Sequence, residues 1–309
     1  MTSRMQFDLG SPQLSVVVCT FNRAALLAEC LQSLVTQSLA SSAYEVIVVD
    51  NNSSDSTEES LGRWTGKYAF IHHLREIKQG LSHARNLGWR AARGELVAYI
   101  DDDAIAASDW CERIIGSYRA VRPPPVAIGG PILPRLPTSP PWWYSEALET
   151  RSWGITAGFL QGVQARFGFS GSNMVFQRRV LSAYGGFNPA FGMRGEQVGL
   201  GEETQFFSRI YDSEPYFWYD PAIRVEHLVS KKQLRIGSRG VRAFQAGCSR
   251  RRVDGARLSA ALVASELMAV FHAAKSLSGE VEKGMGYVLV SMLERTANRI
   301  GYLFTKADT

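Results

Sequence analysis

A chain of 309 residues with 45% hydrophobic content can bury one large core or two modest ones. No uninterrupted apolar run approaches the roughly 20 residues that span a bilayer, and Met1 to Ser11 lacks the apolar stretch of a signal peptide, so the chain is expected in the cytoplasm. The formal charge is +5 and its excess is local: Lys231, Lys232, Arg235, Arg239, Arg242, Arg250, Arg251, Arg252 and Arg257 are opposed in their stretch only by Asp254. That segment suits a polyanion, whether anionic lipid or a substrate diphosphate, or is a solvated helix face. No zinc finger, helix-turn-helix signature or aromatic-interleaved platform points to nucleic acid, which is not expected as a partner. Cys19, Cys30, Cys111 and Cys248 show no Cys-x-x-Cys spacing, which argues against a disulfide framework or a structural zinc.

From Leu14 to Asp103 strand and helix patterns alternate, as in a parallel sheet. Leu14 to Cys19 is nearly all apolar, Ala24 to Val35 has helical spacing through Leu27, Leu31 and Leu34, and Tyr44 to Val49 is a second strand. A helix follows from about Ser54, then a strand over Tyr68 to Leu74, a helix over Leu81 to Ala92 and a strand over Leu96 to Ile100. The proline-rich stretch from Pro123 to Pro141 marks a soft boundary. Beyond it the pattern predicts a strand at Ser172 to Phe176, helices at Arg178 to Tyr184 and Glu202 to Tyr211, and a last short strand at Arg224 to Leu228.

Two C-terminal helices are predicted, Ala256 to Lys275 and Met285 to Phe304, the second apolar through Leu289, Leu293, Ala297, Ile300 and Phe304. That stripe suits packing against the main domain or a second copy of the chain. With the basic segment ahead of it, a membrane interface is the other reading, which would put the protein peripherally at the inner face of the membrane.

Asp101, Asp102 and Asp103 emerge straight after the apolar run ending at Ile100. Adjacent carboxylates repel one another, and a divalent metal would offset this; a solvated turn whose aspartates cap a helix near Ala106 is the competing reading. The first strand ends in Thr20, Phe21, Asn22 and Arg23 and the second in Asp50, Asn51, Asn52 and Ser53, so two hydrogen-bonding loops suited to a nucleoside would lie side by side. Asp50 could accept from a base N–H. No Gly-x-Gly-x-x-Gly and no Walker lysine loop is present, which argues against an NAD fold or a P-loop enzyme. A phosphate would then need a metal and cations such as Arg85. The pair Glu202 and Glu203 either supplies a general base or favours a helix amino terminus.

Taken in order, these pieces resemble family 2 glycosyltransferases of the GT-A fold: Ser15 to Arg23, Val48 to Ser53, Ala84 to Gly88, Asp101 to Asp103, Gly171 to Met174, Gly185 to Phe187, Gly201 to Glu203, and Val225 to His227. The resemblance implies a Rossmann-like, mainly parallel α/β sheet flanked by helices over residues 12–230, with a nucleotide-binding half to about 122, an acceptor half after about 141, and a C-terminal helical extension over 231–309. It implies that Thr20, Asn22, Asp50, Arg85 and Asp101 bind a nucleotide-sugar donor, UDP being favoured, with Asp102 grouped beside them without a distinct task. It further implies that Asp103, Asp101 and His227 hold Mn²⁺ or Mg²⁺ and that Glu203, ahead of Glu202, takes the proton from an acceptor hydroxyl with inversion at the anomeric carbon. Relatives commonly carry Glu then Asp where this chain has two glutamates, so the reach of the base is one methylene longer.

The acceptor is expected to be a saccharide or lipid-linked group in polysaccharide or glycolipid assembly. Trp142, Trp143, Tyr144 and Trp153 either stack on sugar rings or pack the core. The stretch Gly168 to Asn173 is expected as a close-approach loop, with Asn173 on a sugar hydroxyl, and Met193 to Gly201 as a mobile loop. Two other readings stay open: a sugar-phosphate nucleotidyltransferase, which would need a Gly-rich, basic loop that Thr20 to Ala25 does not supply, and a non-catalytic carbohydrate-binding scaffold.

Overall fold

Four strands, β1 (Leu14–Thr20), β2 (Tyr44–Asp50), β3 (Ile71–Arg75) and β4 (Leu96–Asp101), pair in parallel in the order β3–β2–β1–β4. They belong to a computed structural model that describes residues 11–193, 199, 201–254 and 285–304. Both faces of this sheet are covered, which is why its strands read as continuous apolar runs rather than as alternating ones. Successive residues go to opposite sides: Val16, Val18, Ala98 and Ile100 join one core, Val17, Val97 and Tyr99 the other. The connecting helices are α1 (Ala24–Val35), α2 (Thr57–Lys67) and α3 (Leu81–Ala91). In α1 the buried positions include Leu27, Leu31 and Leu34, the stripe seen in the sequence. The register sets Thr20 opposite Asp50 and Cys19 opposite Asp101, so the polar ends of three strands form one rim.

After the aspartates comes a short strand, β5 (Ala104–Ala106), where the sequence suggested a helix start, and then helix α4 (Trp110–Ala120), which the sequence reading did not single out. The proline-rich stretch carries β6 (Ala127–Gly129) and β7 (Ile132–Arg135), strands too short to show a two-residue period. Then follow β8 (Gly158–Phe159), α5 (Gly162–Phe167), β9 (Met174–Gln177), α6 (Arg178–Tyr184), α7 (Glu202–Tyr211), β10 (Phe217–Tyr219) and β11 (Val225–Leu228).

Strand β9 runs antiparallel between β4 and β6, so the two halves share one sheet, ordered β3–β2–β1–β4–β9–β6–β10–β8. It starts at Met174 because Gly171–Asn173 forms a 3-10 turn. A second sheet, β5–β11–β7, pairs His227 with Ala104 and bonds Leu228 N to Asp103 O at 3.0 Å. That ladder carries His227 to the aspartates.

Two further helices, α8 (Ile236–Asp254) and α9 (Met285–Phe304), pack on each other; the predicted helix over Ala256 to Lys275 lies outside the described residues. Their close crossing needs glycine, since a Cβ on Gly247 would sit 1.8 Å from Asn298 O and one on Gly301 2.0 Å from Phe244 O. Buried Arg239 of α8 joins α9 through Glu294 at 2.6 Å and ties the pair to the main domain through Glu149 at 2.5 Å. The α9 stripe does not pack against that domain as one reading of the sequence had it. Tyr287, Val288, Val290 and Tyr302 are buried, whereas Leu289, Leu293 and Ile300 are 55%, 40% and 43% exposed. Among the described residues, no helix is long and apolar enough to cross a membrane.

Helix α3 lies tight on β1 at Gly88, where a Cβ would meet Val17 Cγ1 at 2.4 Å. Val17 is stiff and buried, so it cannot yield. Gly88→Ala should therefore cost about 1–3 kcal/mol by overpacking, read as a lower urea midpoint; an unchanged midpoint would mean that α3 shifts freely.

Candidate active site

The rim of the sheet opens onto a cavity of about 2170 Å³ lined by Thr20, Asn22, Arg85, Asp101, Asp103, Glu203 and His227 among others. Among the lining residues is buried Arg85, its guanidinium with Glu202 at 2.9 Å, Glu203 at 3.2 Å and Asp101 at 3.7 Å. Burial opposes its charge, but Glu203, Glu202 and Asp101 more than compensate, so the guanidinium is held well above its ordinary value. The sequence reading gave Arg85 to a donor phosphate. Its nearest ionic partners are carboxylates, because α3 carries it to the amino terminus of α7.

Gly201, at φ 102°, turns the chain into α7 and presents both glutamates at the first turn. The two differ sharply. The Glu202 side chain is 3% exposed and its Oε2 has no hydrogen-bond partner; burial and the adjacent Glu203 charge push its carboxyl up to about 8 against the pull of Arg85. The Glu203 side chain is 20% exposed, and its Oε1 accepts from both terminal nitrogens of Arg85 and from Gly171 N at 3.2 Å. Burial works against its charge, but the Arg85 charge, then its own backbone N–H, the neighbouring Glu202 carboxyl and Arg151, hold its carboxyl below the usual value. At neutral pH the buried member keeps the proton and the accessible one stays ionised.

The loop before β9 reaches the site as expected, through different residues. Gly171 must be glycine here, since a Cβ would lie 2.0 Å from Arg85 Nη2 and 2.5 Å from Glu203 Oε1. Ser172 Oγ donates to Asp101 Oδ2. Asn173, expected on a sugar hydroxyl, is fully buried; it accepts from Trp110 Nε1 at 3.0 Å and donates to Pro131 O at 3.1 Å and Ile223 O at 2.8 Å. Its amide is thus a clamp between β6, α4 and β11, out of reach of a ligand.

Asp102 also turns inward. It is buried and accepts from Thr20 Oγ1 at 2.7 Å and Arg23 Nη1 at 3.0 Å, tying the β1 loop to β4 at the edge of the cavity. Burial raises its carboxyl to about 6 despite Arg23. Arg23, which the sequence reading did not count among the site residues, also reaches Asp103 Oδ2 at 3.1 Å. The same β1 loop turns at Asn22, at φ 54°, whose Oδ1 accepts from Ser54 N of the loop after β2 at 2.8 Å. Asp50 Oδ1 accepts from Ser53 N at 2.9 Å, while its buried Oδ2 has no partner.

Asp101, Asp103 and His227 each offer an atom within 4.8 Å of the others, and His227 Nε2 lies 3.0 Å from Asp103 Oδ1. Burial disfavours the imidazolium, yet Asp103 and then Asp101 hold His227 above its ordinary value. Two carboxylates and one imidazole lining the cavity fit a divalent cation of the Mn²⁺ or Mg²⁺ kind. Of the four aromatics between the halves, Trp153 lines the cavity and donates to Gly168 O at 2.9 Å, Trp143 is buried under Arg239, and Trp142 is exposed. Most of the Met193 to Gly201 loop lies outside the described residues.

A family model described as glycosyl transferase family 2 matches residues 15–185. The glucosyl-dolichyl phosphate glucuronosyltransferase of Haloferax volcanii is 29% identical over 253 residues, 78% of this chain and 77% of its own length. Among solved structures, the mannosyltransferase PcManGT of Pyrobaculum calidifontis, in complex with GDP-Man and Mn²⁺, matches with a TM-score of 0.66 at 19% identity, over 95% of this chain and 88% of that one. S. aureus TarS 1-349 in complex with UDP matches at 0.54 and 15% identity, over 94% and 89%. At such identities the structural likeness bears on the fold, which is of the GT-A type.

The raised carboxyl of Glu202 has a thermodynamic sign. Between its ordinary value of 4.5 and about 8 the folded chain keeps a proton that the unfolded chain releases, so stability falls as pH rises through that window. Urea titrations from pH 5 to 8 should show this slope, and Glu202→Gln should flatten it. A slope unchanged by the substitution would assign the titration to another group.

Proposed function

The chain belongs to glycosyltransferase family 2, and from that premise we propose that it moves a sugar from a nucleoside diphosphate, UDP in the first instance, to an acceptor hydroxyl with inversion at the anomeric carbon. The observation that carries this reading is the one-sided engagement of Glu203. Oε1 takes its three hydrogen bonds, which leaves Oε2 for a proton from an acceptor in the same cavity as Asp101, Asp103 and His227. Arg85 aims the carboxylate and keeps it ionised; Gly171 N fixes its rotation. With Asp101 and Asp103 given to the cation and Glu149 and Glu294 paired with Arg239, Glu203 serves as a single base, which favours one in-line displacement and hence inversion.

Asp101, Asp103 and His227 would hold the cation, Mn²⁺ or Mg²⁺, whose contribution when bound is to offset negative charge on the departing diphosphate. Asp50, with its unpartnered Oδ2, would accept from a base N–H, and the loop built on Asn22 would line the ribose. Thr20 and Asp102 hold that loop in register. The Haloferax relative, whose name joins glucuronosyl transfer to glucosyl-dolichyl phosphate, supports a role in glycolipid or polysaccharide assembly. A cytoplasmic site of action at the face of a membrane accords with the exposed apolar side chains of α9.

Two measurements test the reading. Isothermal titration of UDP should show binding strengthened by Mn²⁺ in the wild type and little metal effect in Asp103→Ala; equal binding with and without metal would sink the metal assignment. In turnover assays with UDP-sugars, Glu203→Gln should lose about 10²–10⁴ in kcat, the usual worth of a general base, while Glu202→Gln at pH 7 keeps activity within about threefold because the side chain it replaces is already neutral. The reverse ranking would move the base by one residue.

A further inference from the structure

The cavity is about 2170 Å³, whereas small-molecule sites run to roughly 300–1,000 Å³, so one donor leaves much of it unfilled. Its remaining wall is cationic. Arg151, beside β7, and Lys232, Arg242 and Arg295, from α8, α9 and the segment before them, all line the same space. Arg239 in this wall is satisfied by Glu149 and Glu294. By contrast, Lys232, Arg242 and Arg295 are exposed and have no ion-pair partner among the described residues, and the Arg151 side chain donates to neutral Ser170 Oγ at 2.6 Å. Desolvation and the charge of Arg151, with that of Arg239 behind it, depress the Arg242 guanidinium against the opposing pull of Glu149 and Asp103, so the cations around it outweigh the anions.

We propose that this wall is an acceptor subsite for a phosphoryl group, so that the sugar-accepting substrate is a phosphate- or diphosphate-bearing molecule. The inference rests on the function proposed above, which assigns the donor diphosphate to the aspartate end. The wall is built on the other half of the chain: Leu148, Glu149, Thr150 and Arg151 share it, and Arg239 bonds Glu149 within it. Arginine is well matched to phosphate because its planar fork can donate two parallel hydrogen bonds. Val241, 59% exposed, also lines the cavity next to Arg242, and Leu289 and Leu293 are exposed on α9. A phosphate carried on an apolar chain would therefore meet complementary surface at both ends; a phosphate on a soluble sugar would use the cations alone.

The test uses the full chain saturated with Mn²⁺ and UDP, or GDP where that binds instead, so that the donor end is filled. Geranyl phosphate, glucose 1-phosphate and the uncharged octyl glucoside are then titrated calorimetrically. At least one phosphate should bind and octyl glucoside should not; geranyl phosphate binding more tightly would identify the lipid-borne source, and equal binding the soluble one. Arg242→Ala with Arg295→Ala should weaken phosphate binding about tenfold to hundredfold, with partial recovery in Arg242→Lys, and leave nucleotide affinity within about twofold. The subsite is refuted if neither phosphate binds the nucleotide-loaded protein, if the double variant binds as the wild type does, or if nucleotide affinity falls by the same factor, which would return the arginines to the donor. If neither UDP nor GDP binds, the failure lies with the function proposed above.

Discussion

The site is organised by one buried guanidinium. Arg85 faces Glu202, Glu203 and Asp101 within 3.7 Å, a single positive charge against three carboxyls. Burying so many charges together is costly, and the balance is restored by taking one carboxyl out of the count: Glu202 keeps its proton. What remains is a pair with complementary duties, one glutamate neutral and enclosed, the other ionised and reachable. The glycines around it follow from the same crowding. Gly171 yields its side chain to Arg85 and Glu203, Gly88 lets α3 sit close on β1, and Gly201 turns the glutamates inward.

Three separate stretches of chain meet at this point because of how the sheet is strung. The parallel order β3–β2–β1–β4 lines up the carboxyl ends of the first four strands, as in open α/β sheets that bind ligands beyond those ends. Insertion of β9 between β4 and β6 then brings the loop Gly168 to Asn173 against Asp101 and Arg85. The short β5–β11 ladder delivers His227 to Asp103. Asn173 holds the back of this arrangement through Trp110, Pro131 and Ile223. Its burial shows how a residue inside a family motif can serve the loop that carries the chemistry rather than the chemistry itself.

The charges divide the cavity. Carboxylates gather at the rim of the sheet, and cations from Arg151, Lys232, α8 and α9 face them. Within that cationic wall Arg239 is structural, locked between Glu149 and Glu294, and buried Arg251 donates to Tyr302 O at 3.3 Å, so the basic run in the sequence has two uses: some of its arginines fasten the C-terminal helices while others, such as Arg242, stay exposed. The same helices leave Leu289, Leu293 and Ile300 exposed, while Tyr287 and Val288 pack with Leu148 of the main domain.

The amino-acid sequence alone determined the parallel strands to Asp101, the stripe of α1, the rims at Thr20 and Asp50, and the run of aspartates, because burial on both faces and helical periodicity leave a local record. The order of motifs identified the family. Only the tertiary structure decided the rest. Strands of two to four residues such as β5 to β8 and β10 are specified by their partners in the sheets and not by a period of their own. Whether Asp102, Asn173 or Arg85 meets ligand or protein depends on what packs across from it, from residues up to 118 positions away in the Arg85–Glu203 pair. Glu202 and Glu203 are chemically identical neighbours, and it is burial on one side and Arg85 with Gly171 on the other that makes them an acid and a carboxylate.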